Sequence, residues 1–114
     1  AGADGISLVN TFQAMAVDVK NRRAVFDNVY AGLSGPGIFP IALRMVRDVA
    51  RAVKIPVVGM GGIQSAEDVI AMIMVGAQAV EIGTMNLVEP HIVPKLIADL
   101  ETYMKEERKM KLEC

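Results

Sequence analysis

The sequence predicts an α/β fold, the C-terminal portion of a (β/α)8 TIM barrel with about three parallel strands, their helices and a small hairpin insertion. Three observations predict it. Short apolar strands alternate with amphipathic helical stretches, the pattern of parallel pairing with right-handed crossovers. The order Gly59-Met60-Gly61-Gly62-Ile63, then Ser65-Ala66-Glu67-Asp68, then Val80-Glu81-Ile82-Gly83-Thr84 is strand, glycine pair, helix, strand, Gly-Thr, which is how the last units of such a barrel hold a phosphate. The length, 114 residues, falls well short of the roughly 250 that a complete barrel needs. Residues 1–114 are therefore expected to form one partial domain, strands six to eight with their helices. An open Rossmann-like sheet would show the same alternation.

The first strand is expected over 5–10, Gly-Ile-Ser-Leu-Val-Asn. Its helix begins at Pro40, a good first helical residue, and carries Ala42, Met45, Val46, Val49, Ala50 and Val53 on one face. The second strand covers 55–59. Ser65 then caps a helix with Asp68 three residues on, and Gly76 stops it. The third strand covers 79–82. A last helix runs from about 91 to about 109 with Val93, Leu96, Ile97, Leu100 and Met104 on one face, and Pro94 is tolerated in its first turn. The segments 2–8 and 76–82 share the pattern Gly-Ala-x-small-apolar-x-apolar, a helix stop leading straight into a buried strand.

The segment between Asn10 and Pro40 breaks this rhythm, because a βα loop usually has about 2 to 6 residues. Residues 16–19 and 24–26 flank the polar turn Lys20-Asn21-Arg22-Arg23, so a small hairpin is expected over the strand C-terminal ends, where barrels keep their active sites.

Hydrophobic residues make up 53% of the chain and the mean hydropathy is +0.38, which fits strands buried on both faces. The apolar runs are far shorter than the ~20 residues of a membrane span, so no membrane partner is expected. The start, Ala-Gly-Ala-Asp-Gly, has no initiator methionine, basic leader or signal-like apolar region, and is expected to be a cut in mid-domain. Net charge is −1 with both signs mixed, which leaves no footprint for nucleic acid. One cysteine, Cys114, and one histidine, His91, leave no intrachain disulfide and no Cys- or His-rich metal site, and a cytoplasmic setting is expected.

The candidate site follows from the strand ends. Gly61 and Gly62 permit positive φ and close approach of backbone N–H groups to phosphate oxygens, and the positive end of the following helix could face the same anion. A tight βα turn with no ligand would also use two glycines, but Gly83-Thr84 at the end of the neighbouring strand makes a shared pocket the better account. Gly32-Leu33-Ser34-Gly35-Pro36-Gly37 is either a third anion contact or a plain Gly/Pro connector. Asn10 and Thr11 end the first strand with a carboxamide and a hydroxyl suited to a polar heterocycle or carboxylate, although Asn10 could equally start a turn. Asp18, Asp27, Asp68 and Glu89 form no obvious acid and base pair. The methionines are core filler, and the run 105–111 is a solvated helix face.

With these residues assembled, the chain resembles the C-terminal part of the dihydroorotate dehydrogenase family, most closely its bacterial class 1B catalytic subunits. The stretches that carry the resemblance are Gly-Ala-Asp-Gly-Ile-Ser-Leu-Val-Asn-Thr, Gly-Leu-Ser-Gly-Pro-Gly-Ile followed by Pro-Ile-Ala-Leu-Arg-Met-Val, Ile-Pro-Val-Val-Gly-Met-Gly-Gly-Ile, and Ala-Val-Glu-Ile-Gly-Thr, spanning nearly the whole chain in this order. The resemblance implies a barrel that binds FMN at its strand C-termini and oxidises dihydroorotate to orotate in de novo pyrimidine biosynthesis. By position it implies FMN contacts from Val9, Gly35, Gly61, Gly62, Gly83 and Thr84, the last four at the phosphate, and substrate contacts from Asn10 and Thr11. It also implies a homo-oligomer and an FAD and iron-sulfur subunit that passes electrons to NAD. The family's catalytic cysteine, and a lysine near the flavin, lie upstream of the matching segment. Cys114 does not match that cysteine, so no catalytic residue is assigned to this chain. Two other classes share part of the pattern: another phosphate-binding TIM-barrel enzyme, such as a nucleotide or sugar-phosphate isomerase, and a non-catalytic half-barrel module that self-assembles.

Overall fold

The computed structural model describes residues 1–109. In chain order these form β1 (Ile6–Leu8), β2 (Phe12–Met15), β3 (Val17–Asp18), β4 (Arg23–Ala24), β5 (Tyr30–Leu33), a short 3-10 turn (Pro36–Ile38), α1 (Phe39–Ala52), β6 (Val57–Met60), α2 (Ala66–Met74), β7 (Ala79–Glu81), α3 (Met85–Val88) and α4 (Ile92–Lys109). The main sheet is parallel and three-stranded in the order β1-β6-β7. The fold is thus α/β, with parallel strands joined by helices as the alternation requires.

Register explains how the sheet divides its two faces. Ile6 pairs with Val57, Leu8 with Gly59 and Gly59 with Val80, so these positions share one face; Ser7, Val58 and Ala79 share the other, with Met60 and Glu81. The first face packs on the helices. Val57 is buried, and a Cβ added at Gly59 would stand 3.0 Å from Met72 Sδ of α2, so glycine there lets the helix settle onto the strand. The second face is largely open, with Ser7, Ala79 and Glu81 exposed. Burial on both faces, expected from composition, is therefore approached only by the central strand β6.

α1 lays Ala42 and Val46, both fully buried, against the sheet, and it starts one residue earlier than expected, with Pro40 second rather than first. Either position costs nothing, because the first-turn N–H groups have no partner within the helix. α2 begins and ends as expected. Ser65 Oγ accepts from the Asp68 N–H at 3.2 Å, and the Asp68 carboxylate accepts from the Gln64 N–H at 3.0 Å. At its end Gly76 (φ 120°) donates to Ile73 O and Ala77 donates to Met72 O, the paired bonds of a Schellman stop. A Cβ on Gly76 would lie 2.6 Å from that of Ala50, so the same glycine also lets α1 and α2 approach.

The expected hairpin is present as β3 paired with β4, and the insertion also pairs β2 with β5, a ribbon not expected, in the register Phe12↔Leu33 to Met15↔Tyr30. A short helix, α3, follows β7 and was not expected. On α4 the buried stripe is Ile92 and Leu96 with Leu100 half-buried, while Val93, Ile97 and Met104 are exposed. That stripe keeps the four-residue spacing, rotated one residue from the one anticipated. Cys114 and the end of the charged run 105–111 lie outside the described residues.

The radius of gyration is 17.2 Å, against about 13 Å for a compact chain of this length. The core is correspondingly small, and Met74, Leu87 and Val88 are exposed at 81%, 88% and 69%. No helix among the described residues is long and apolar enough to cross a membrane.

Candidate functional site

The C-terminal ends of the three parallel strands open into one cavity of about 200 Å³. Val9, Asn10 and Thr11 enter it after β1, Gly61 and Gly62 after β6, and Gly83 and Thr84 after β7, with Gly35 from the loop before α1. Every residue singled out from sequence as a cofactor or substrate contact therefore lines the same space. Parallel strands achieve this because they all end on one side of the sheet.

The glycine pair occupies the conformation expected of it. Gly61 has φ 124° and Gly62 φ 74°, where an L side chain is strained. Both are also hemmed in on the protein side. A Cβ on Gly61 would lie 2.9 Å from Val9 Cγ2 and 2.9 Å from Ala42 Cβ, and one on Gly62 would lie 2.7 Å from the Phe39 nitrogen and 2.8 Å from Gly35 O. Gly83 differs: an added Cβ meets nothing within 4 Å. The backbone N–H groups of Gly61, Gly62, Gly83 and Thr84 donate to no acceptor among the described residues. Four amides at two neighbouring strand ends, all of residues that line the cavity, are thus without an acceptor among the described residues.

The charge balance is unusual for an anion site. No lysine or arginine lines the cavity, and Glu81 is its one ionisable side chain, among the described residues. An anion held here would be held by neutral dipoles, which are effective when several converge. The positive end of α2, expected to join them, does not line the cavity. Its first turn is closed by Ser65 and Asp68 and borders a separate groove beside Tyr103 and Glu106. The helix that does reach the cavity is α3, through Met85.

Asn10 combines both roles weighed for it. Its Oδ1 accepts from the Thr11 N–H at 2.7 Å, as a turn-forming Asn does, and its Nδ2 has no acceptor among the described residues. The Thr11 side chain packs directly on Gly32, where any Cβ would collide with it. Val9 is buried and donates to Met60 O at 2.9 Å, tying the end of β1 to the end of β6.

The loop 32–37, left open between an anion contact and a connector, contributes Ser34 and Gly35 to the cavity. Gly35 is buried at φ 101° and its carbonyl accepts from Ile38, starting the 3-10 turn. Ser34 was not singled out; its hydroxyl lies 2.7 Å from that of Thr84, and only its place in the Gly-Leu-Ser-Gly-Pro stretch hinted at it. Glu81 was missed as well, since nothing in a strand sequence tells which face an isolated polar residue takes. Among the described residues no group of three or more His, Cys, Asp or Glu could hold a metal ion.

The dihydroorotate dehydrogenase family model matches residues 1–104. The chain is 51% identical over 107 residues to the dihydroorotate dehydrogenase B (NAD(+)) catalytic subunit of Petrotoga mobilis, covering 94% of this chain and 36% of that protein. It is 51% identical over 106 residues to the subunit of the same name from Geobacillus sp. (strain WCH70), covering 93% and 34%. With that from Thermoanaerobacter pseudethanolicus it shares 54% identity over 103 residues, covering 90% and 34%. The chain spans about a third of the length of the curated relatives it matches. A match along nearly the whole chain, with three strand ends and the loop before α1 converging on one cavity, makes the chain a member of the dihydroorotate dehydrogenase family.

Proposed function

We propose that this chain forms the sixth to eighth strands of a cytoplasmic (β/α)8 barrel that oxidises dihydroorotate to orotate in de novo pyrimidine biosynthesis, with FMN as the resident cofactor. The observation that carries this is the convergence of Val9, Asn10, Thr11, Gly35, Gly61, Gly62, Gly83 and Thr84 on one cavity in a chain about half identical to dihydroorotate dehydrogenase B catalytic subunits. The cavity fits one end of the cofactor. Its volume of about 200 Å³ is below the roughly 300 Å³ at which whole-ligand pockets begin, and its unpaired amides suit a phosphate.

In this reading Gly61, Gly62, Gly83 and Thr84 hold the phosphate through backbone N–H groups, and Val9 and Gly35 wall the adjoining part of the cofactor. Asn10 and Thr11 bind the substrate, the Asn10 Nδ2 donating while its Oδ1 stays committed to the Thr11 N–H. FMN held here would supply a two-electron acceptor for the oxidation of a substrate C–C bond to C=C. None of the described residues is proposed as the catalytic base; in this reading they bind and orient. The name "catalytic subunit" borne by the relatives supports a second, electron-transferring subunit, proposed to carry FAD and an iron-sulfur cluster and to deliver electrons to NAD(+). The open sheet face and exposed apolar helix flanks support closure by further barrel strands, and a homo-oligomer completes the proposal.

The test is the visible spectrum of the purified protein with its intact mass, followed by anaerobic addition of dihydroorotate. Flavin near one per chain that bleaches on addition supports the reading. A full-size protein without flavin, or with flavin that dihydroorotate leaves oxidised, overturns it.

A further inference from the structure

We propose that Glu81 sets the reduction potential of the flavin bound here, its carboxylate opposing the negative charge that the ring gains on reduction. Glu81 is the last residue of β7 and pairs in register with Met60 at the end of β6. Both residues line the cavity. They stand with Ser7, Val58 and Ala79 on the sheet face that carries no helices, which is the lumen face of the proposed barrel.

Nothing cationic in this part of the fold neutralises the carboxylate. The one salt bridge among the described residues joins Arg44 to Asp48, and no lysine or arginine among them lines the cavity. The other polar side chains there, those of Asn10, Thr11, Ser34 and Thr84, are neutral. Glu81 is therefore the one full charge that the described residues set beside the cavity.

That charge bears on a redox cofactor in a way that it would not on a ligand of constant charge. Two-electron reduction with uptake of one proton leaves the flavin ring with one more negative charge than its oxidised form. A nearby carboxylate repels the reduced form more than the oxidised one, and only such a difference moves an equilibrium. Unit charges about 10 Å apart at an effective dielectric of about 20 shift an equilibrium by roughly tenfold. For a two-electron couple a tenfold shift is about 30 mV.

This inference rests on the proposed flavin site, and the experiment keeps the two apart. The midpoint potential of the full, flavin-loaded protein is measured by anaerobic titration with dithionite beside a reference dye, at mildly alkaline pH where the reduced ring holds its charge. Glu81→Gln, matched in size, is expected to raise the potential by about 30 mV, a roughly tenfold change in the ratio of reduced to oxidised flavin. Glu81→Ala is expected to do the same, and Glu81→Asp, which keeps the charge, to stay near wild type. Glu67→Gln removes a charge from the first turn of α2, beside a separate groove, and is expected to leave the potential unchanged. An unshifted potential in both Glu81→Gln and Glu81→Ala overturns the role of Glu81 and leaves the flavin site standing. A shift in Glu81→Asp equal to that in Glu81→Gln assigns the effect to side-chain shape and overturns it as well, as does an equal shift in Glu67→Gln. Wild-type protein that holds no flavin overturns the site itself, and the inference with it.

Discussion

Gly62 stands so close to Phe39 that a Cβ on the glycine would lie 2.7 Å from the Phe39 backbone nitrogen and 2.8 Å from its Cβ. The turn after β6 and the start of α1 therefore share one surface, and the glycine is the only residue that fits between them at φ 74°. Gly62→Ala is expected to cost roughly 2–4 kcal/mol, from the left-handed backbone plus overpacking against atoms that cannot move aside. Chemical denaturation of the full protein measures this, and a loss below 1 kcal/mol would contradict the backbone clash.

Gly83→Ala makes the opposite case. The added methyl meets no atom within 4 Å and the φ is not positive, so stability is expected to change by less than about 0.5 kcal/mol. Under the proposed function the methyl nevertheless intrudes on the cavity, and FMN retention falls. Flavin content per protein after gel filtration, compared with the denaturation midpoint, separates the two effects.

Asn10→Asp tests the division of labour within one side chain. The variant keeps an oxygen to accept from the Thr11 N–H but replaces the Nδ2 donor with negative charge. Under the proposed function, flavin content is expected to stay at the wild-type level while KM for the anionic substrate rises about tenfold or more. Steady-state kinetics on the holoenzyme reads this; loss of flavin along with substrate affinity would place Asn10 at the cofactor instead.

Ser65→Ala removes the side chain that caps α2 and leaves the cavity untouched, since the two lie on different surfaces. It is expected to cost about 1 kcal/mol of stability with no effect on flavin affinity. Thermal unfolding and flavin titration check both halves.

At the tip of the insertion, Asn21 donates to Asp18 through its side chain at 2.7 Å and its backbone at 3.1 Å, and these bonds hold the Asp18 carboxyl below the usual aspartate range. Because the folded value is depressed, the contribution of this turn is present above the unfolded pKa and is lost as pH falls through the folded one. An NMR titration of the Asp18 carboxyl is expected to give a midpoint below that of an unstructured aspartate, moving back toward it in Asn21→Ala.

Legibility followed the range of the interactions concerned. Ser65, Asp68 and Gly76 announced the limits of α2, because caps and stops act within a few residues. The ribbon of β2 and β5 was missed because its partners, Phe12 with Leu33, lie far apart in sequence and Gly32 weakens the local strand signal. On α4, Ile92, Leu96 and Leu100 compete with Val93, Ile97 and Met104 for the buried side, and only packing against α2 and α3 selects the first set.

The residues alone dictated the three parallel strands, the three longer helices, the glycine turns and the family, since each depends on local backbone preference or on a motif read in order. Contact between distant segments decided the rest: that eight candidate residues share one cavity, that Ser34 meets Thr84 across 50 positions, and that the capped end of α2 turns away from the site. Parallel strands all end on one side of the sheet, but the side-chain pairs formed there depend on register and on how the loops pack, which no stretch of sequence carries by itself.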